Sequence, residues 1–170
     1  MTEDKDFDTA RYFCAGICLR QNPVTGADEV LVIEYIKGEQ KPQIKLPGGN
    51  SLPGEDKRDT FFREFEKETS CRIKSATEIH CHELRKPGRP PHDQVFYLVQ
   101  CVDLAELRQV WQQDGPDEQL SPPYWMGIGD ALREQGGLFP SHRQAFEAAI
   151  KHLTHWIDNK GQMTVRTKPF

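Results

Sequence analysis

The sequence predicts an α/β sandwich built as one domain, and three observations lead there. Apolar and small residues alternate over residues 11–20 and recur over 94–102, the mark of strands. Apolar residues recur at helical spacing from Phe61 to Phe65 and from Phe146 to Ile157, which predicts two substantial helices. With 170 residues, 12 prolines and 13 glycines, the chain has the length for one core and many defined turns. Strands mixed with two helices, one on each side of the sheet, make the sandwich.

Residues 1–10 are acidic and polar and read as a loose lead-in. Over residues 11–20, Phe13, Ala15, Ile17 and Leu19 take one face, and Tyr12, Cys14, Gly16 and Cys18 take the other. Both faces are apolar or small, so a central strand covered on both sides is expected. Residues 21–28, with Asn22, Pro23 and Gly26, form a turn. Residues 30–36 (VLVIEYI) make a second strand, and 44–46 a short third one ahead of Pro47, Gly48 and Gly49. After the turn at Pro53 and Gly54 a helix is expected from near Asp56 to about Thr69, its stripe formed by Phe61, Phe62 and Phe65.

Residues 71–84 read as β structure, 86–92 (KPGRPPH) as a loop, and 94–102 (QVFYLVQCV) as a strand antiparallel to the first of these. Asp103 and Glu106 have capping-box spacing for a short helix through Trp111. A loop over 112–123, a return to the sheet over 124–128 and one or two helical turns over 130–135 follow. Ser141 and Gln144 are expected to cap a last helix over 142–158, with Phe146, Ile150, Leu153 and Ile157 buried and Gly161 ending it. The predicted organisation is a lead-in (1–10), one domain (11–160) and a loose tail (161–170).

Composition excludes several function classes. A formal charge of -4 argues against bulk electrostatic binding of nucleic acid. No run approaches the roughly 18 apolar residues that span a membrane. The polar start has no apolar signal region, so a cytoplasmic protein is expected. The five cysteines are odd in number and lack a CxxC, which suits small buried hydrophobes in a reducing compartment. His80 and His82 share a strand face, but no second ligand pair at zinc-like spacing accompanies them.

Chemistry concentrates in residues 46–73, LPGGNSLPGEDKRDTFFREFEKETSCRI. At about 100° per residue, Glu68 lies only about 40° from Glu64 around the helix, so the two carboxylates share a face. Lys67 lies about 60° to the other side of Glu64, and Glu66 points about 160° away from it. The carboxylates border the phenylalanine stripe, where a cleft-lining group belongs. Gly48 and Gly49 let the backbone turn sharply and approach phosphate or metal closely.

This stretch resembles the Nudix hydrolase signature over residues 49–71: Gly49, Glu55, Arg63, Glu64, Phe65, Glu68 and Cys71 match it. Two positions depart: Lys67 stands where a glutamate is expected, and Ser70 where a glycine is. The resemblance implies an αβα sandwich around a mixed sheet and Mg²⁺- or Mn²⁺-dependent cleavage of a nucleoside diphosphate derivative. Under it, Glu64, Glu68 and the Gly48 carbonyl would ligate metal, with Glu64 also a candidate base. Arg63 and Glu55 would brace the loop onto the helix. Glu118 fits the place of an additional catalytic acid, with Asp117 in reserve.

Lys67 has two readings: a pair with Glu64 in a site that binds metal weakly, or a fixed cation for substrate phosphate. Arg85 and Arg89, in the basic loop, are the other candidates for substrate phosphate. The expected partner is a nucleotide-like small molecule; a homodimer stays open. The alternative is a non-catalytic Nudix-like module that binds a nucleotide or regulates a partner, motivated by Lys67 and Ser70.

Overall fold

The structure, a computed structural model, describes residues 11–85, 87–88, 90–157 and 161–167, with the side chains of 154–157 and 164–167 outside the description. Its strands are β1 (Tyr12–Ile17), β2 (Leu19–Gln21), β3 (Asp28–Lys37), β4 (Gln43–Lys45), β5 (Gly48–Asn50), β6 (Ile73–Leu84) and β7 (His92–Cys101). They continue as β8 (Gln112–Gly115), β9 (Glu118–Leu120), β10 (Tyr124–Gly127), β11 (Leu153–Ile157) and β12 (Met163–Thr167). The helices are α1 (Lys57–Thr69), the single turn α2 (Ile128–Ala131) and α3 (Pro140–Ile150).

One sheet is mixed, in the order β5-β1-β7-β6, with β1 and β7 parallel and the other pairs antiparallel. A second is antiparallel and centred on β3, which pairs with β2, β4, β9 and β10, and β11 and β12 form a third. The alternation read along the first strand sorts its side chains between two cores. Ala15 and Ile17 pack with Phe96 and with Ala145, Phe146 and Ala149 of α3. Cys14 packs with Val95, Tyr97 and the Phe61 and Phe65 rings of α1. The two helices therefore cover opposite faces, and the architecture is an αβα sandwich. Phe61 and Phe65 are fully buried, and truncating either to alanine would cost roughly 3–5 kcal/mol.

Helix α1 starts and stops for local reasons. The Asp56 carboxylate accepts from the Asp59 N–H at 2.8 Å, satisfying one of the donors a helix start leaves open. At the other end Ser70 takes the left-handed conformation, φ 61°, and its N–H returns to the Glu66 carbonyl. The signature's glycine at this position is thus explained: the backbone needs a conformation that L-residues resist by about 1 kcal/mol or more.

Several local expectations change. The first strand divides at Cys18 into β1 and β2, which join different sheets. The helix expected through Trp111 is one 3-10 turn, Leu104–Glu106, with Asp103 accepting from the Ala105 N–H. The loop expected over 112–123 contains the β8–β9 hairpin. The last helix begins on Pro140 without a side-chain cap, so Ser141 and Gln144 do not cap it, and it ends at Ile150. Leu153–Ile157 is instead a strand, paired with Met163–Thr167 in the stretch expected to be a loose tail. Cys81 is exposed, whereas the other four cysteines are buried, and all five are free. The expected lead-in, residues 1–10, lies outside the described residues. No helix among those described is long and apolar enough to cross a membrane.

Candidate active site

Strands β4 and β5 bring the Leu46–Asn50 turn against the start of β1 and the flank of α1. A Cβ on Gly48 would lie 2.6 Å from Ala15 Cα, and one on Gly49 would lie 2.6 Å from Glu64 Cδ. Both close approaches require glycine. The side chain absent at Gly48 lets the β1 backbone approach, and the one absent at Gly49 leaves the space in which the Glu64 carboxylate sits.

The first half of α1 is tied by a charge network with matched partners. Arg63 donates to both oxygens of Glu55, at 2.9 Å through Nε and 2.8 Å through Nη2, and to the Asn50 carbonyl at 2.9 Å. Thr60 Oγ1 and the Leu52 N–H also donate to Glu55. The Arg63 hydrogen bonds lead in holding the Glu55 carboxyl down at about 2, with the Thr60 and Leu52 donors adding to it against the effect of burial. Arg63 Nη1 completes the brace by pairing with Glu64 Oε1.

The second half opens onto a cleft of about 460 Å³. Glu64 and Glu68 are 7% and 4% exposed, so both carboxylates are buried at its wall. Glu68 Oε2 accepts from the Gly48 N–H at 2.8 Å. Burial pushes the Glu68 carboxyl well above the usual carboxylate range; the Gly48 N–H opposes the rise, while Glu64 and Asp114 add to it. Lys67 Nζ lies 3.6 Å from Glu64 Oε2 and 3.6 Å from Asp114 Oδ1, bridging the helix to the β8–β9 hairpin. Burial works against its charge, but Glu64 and Asp114 outweigh it and raise the lysine above its ordinary range. Glu118 lines the same cleft and pairs with Lys37 at 3.3 Å.

Arg108 fixes the far end of this wall. Its guanidinium donates to the Glu68 carbonyl at 3.0 and 2.8 Å, to the Ser121 carbonyl at 2.9 Å, and to the Val110 carbonyl. It thereby ties the end of α1 to the segment leaving β9. Behind the cleft His142 is buried, and its Nδ1 accepts from the Leu46 N–H at 3.0 Å. Burial, assisted by the nearby Lys45 charge, pushes this imidazole down to about 3, so it is neutral at physiological pH.

Of the residues selected from sequence, Gly48, Glu64, Lys67, Glu68 and Glu118 all line one cleft. Asp117 does not; it borders a smaller hollow of about 160 Å³ beyond Glu118. Arg85 does not line the cleft either, and pairs with Glu83 at 3.0 Å. Arg89 lies outside the described residues. Sequence reasoning missed Lys45 and Asp114, which also line the cleft. Lys45 carried a readable signal, being a lysine between Ile44 and Leu46 in a short strand. Asp114 carried none, because only the hairpin's pairing delivers it.

The donor set fits a metal of one kind. No group of three Asp, Glu, His or Cys side chains among the described residues converges as an all-protein cage. Mg²⁺ asks for less, commonly one or two carboxylates with water and substrate phosphates. Glu64 and Glu68 offer that, both buried at the wall of one cleft. Neither oxygen of Glu64 is without a cation, since Arg63 and Lys67 take one each.

Comparison with solved structures identifies the fold that carries this site. The chain has the Nudix hydrolase fold. It is similar to a Nudix hydrolase from Nitrosomonas europaea, with a TM-score of 0.60 and 16% identity over 84% of this chain and 89% of that one. It is also similar to a MutT Nudix hydrolase from Burkholderia pseudomallei, with a TM-score of 0.55 and 19% identity over 81% and 96% of the two chains. A third likeness is to Shewanella oneidensis NrtR, solved with a 27mer DNA, with a TM-score of 0.54 and 17% identity over 82% of this chain and 60% of that one. No protein-family model matches the sequence, and no curated protein matches it.

Proposed function

We propose that the chain is a divalent-cation-dependent pyrophosphohydrolase acting on a nucleoside diphosphate derivative. The observation that carries this reading is the pair Glu64 and Glu68, buried side by side beneath Gly48 and Gly49 at the wall of a polar cleft. Glu64, Glu68 and the Gly48 backbone would hold Mg²⁺ or Mn²⁺. The cation, when bound, supplies positive charge to the phosphate oxygens and acidifies water.

The chain's own residues do the rest. Glu64 serves as proton acceptor, oriented by Arg63. Glu118, at the start of β9, adds a further carboxylate to the cleft. Lys67 is 46% exposed at its side chain, so it can turn from Glu64 toward solvent or a phosphate when the cation enters. The buried free thiols suit a cytoplasmic protein. The test is a screen of nucleoside diphosphate sugars, dinucleoside polyphosphates and oxidised nucleotides with Mg²⁺ and Mn²⁺. Turnover that Glu64→Gln removes is the expected result; no turnover on any of them would count against the proposal.

A second reading, a nucleotide-binding or regulatory module without catalysis, is favoured by the Lys67 bridge to Glu64 and Asp114. On this reading the lysine is a permanent internal cation. Ligand-induced stabilisation without hydrolysis would support it, and robust metal-dependent turnover would remove it.

A further inference from the structure

Three lysines line the cleft, and they are not equivalent. Lys37 is paired with Glu118, and Lys67 with Glu64 and Asp114. Lys45 has no carboxylate within 4.0 Å among the described residues. It rests on aromatic faces instead, with Nζ 4.4 Å from the centre of the Tyr35 ring and 5.4 Å from that of Phe139. Such faces attract a cation without neutralising it.

The backbone around Lys45 is firmly set. Lys45 pairs with Ile33 in the β3–β4 register, and the next residue's N–H is held by the neutral His142. The Phe139 N–H donates to the Ile44 carbonyl at 2.7 Å. The ammonium therefore stands at a defined place in the cleft that also contains Glu64 and Glu68, its charge available to an anion.

We infer that Lys45 is the cleft's principal phosphate-binding cation, engaging the phosphoryl groups of a nucleoside diphosphate derivative from a position set by the Tyr35 and Phe139 faces against its ammonium. The assignment rests on the proposed pyrophosphate chemistry and moves the role away from Lys67 and Arg85. Burial lowers the Lys45 ammonium below the ordinary lysine range, while Glu68, Glu118 and Asp114 work against that fall. A bound phosphate would act in the same direction as those acids and restore the charge.

The experiment compares wild type, Lys45→Met and Lys45→Arg by titration calorimetry with ADP and with inorganic pyrophosphate, in EDTA and again with Mg²⁺. Methionine retains the stem and its packing. Lys45→Met should weaken both ligands about tenfold or more, the loss expected for one charge-assisted contact, and Lys45→Arg should recover much of it. Adenosine, which lacks phosphate, should bind all three alike. On a hydrolysed substrate the methionine variant should raise KM more than it lowers kcat.

Equal ADP affinity in wild type and Lys45→Met would overturn the assignment. So would an equal loss for adenosine, which would mean a collapsed cleft. If wild type binds neither ADP nor pyrophosphate, the nucleotide reading fails first and takes this one with it.

Discussion

The two ends of α1 meet carboxylates in opposite electrostatic condition. In the half facing the Asn50–Glu55 loop, the Glu55 carboxylate has a bidentate arginine, a threonine and a backbone N–H. One turn further on, Glu64, Glu68 and Asp114 crowd a cleft in which Lys67 is only loosely placed at 3.6 Å. The first half is satisfied by the chain itself, and Glu55 is an easier acid for it. The second is buried among acids, and Glu68 is a harder acid for it, through burial first and then through Glu64 and Asp114. Satisfied charges brace the fold, while unsatisfied ones mark where a cation or ligand is expected.

Breaking the brace should have the largest effect. Arg63→Met leaves Glu55 and Glu64 without their arginine, and loss of one partner of a buried pair costs roughly 3–5 kcal/mol. Arg63 is 32% exposed at its side chain, so solvent screening reduces this to about 2–3 kcal/mol. Thermal unfolding should show a fall of roughly 4–12 °C. No shift would mean the network is decorative.

The same kind of measurement should move the other way in the cleft. Without divalent cations, Glu68→Gln should raise the melting temperature near neutral pH, by about 2–4 °C for each kcal/mol recovered. The glutamine carbonyl can still accept from Gly48, while the charge that burial disfavours is gone. In the same variant metal-dependent turnover should disappear. A destabilised Glu68→Gln would show that this carboxylate serves the fold.

Acidity separates the two halves further. A carboxyl lowered to about 2 from an ordinary 4.5, as for Glu55, binds fewer protons folded than unfolded. Its stabilisation is present above pH 4.5 and is lost as pH falls toward 2. Glu68 has the opposite sign: its carboxyl is raised, so stability declines as pH climbs from about 4.5 toward the raised value. Mg²⁺ should suppress that second decline and leave the first unchanged. Melting curves across pH 2–8 with and without Mg²⁺, compared with Glu68→Gln, would resolve both.

The smallest effect lies at the helix end. Ser70 holds φ 61° while exposed, and Ser70→Gly should stabilise the protein by roughly 1 kcal/mol. Turnover and metal affinity should stay unchanged, because the substitution touches neither carboxylate. A change in metal dependence would couple the cap to the cleft.

Much of this arrangement was legible in the sequence where side-chain period and burial agree. Residues 12–20 alternate and form strands, and α1 runs Lys57–Thr69, close to the bounds that the Pro53–Gly54 turn and the phenylalanine stripe suggest. The β8–β9 hairpin was not legible: over QQDGPDEQL only Leu120 is buried, so no alternation marks it. At the C-terminal end, Phe146, Ile150, Leu153 and Ile157 keep helical spacing across a helix and a strand, and the period misled. The acids of α1 could be placed because one helix carries both. Asp114 reaches them through strand pairing far along the chain, which spacing does not encode.

On the proposed function, the Glu64–Glu68 pair binds a divalent cation against the opposition of Lys67. An ammonium about 6 Å from a dication opposes it by roughly 5 kcal/mol at an effective dielectric near 20, less what the side chain recovers by turning away. The most direct measurement is the Mg²⁺ dependence of turnover for wild type beside Lys67→Glu, on a substrate found in the screen. Metal-dependent turnover is expected in both, with half-maximal activity reached in the variant at about tenfold lower Mg²⁺ or less. Activity indifferent to Mg²⁺, or a variant that needs as much of it as wild type, would contradict the claim.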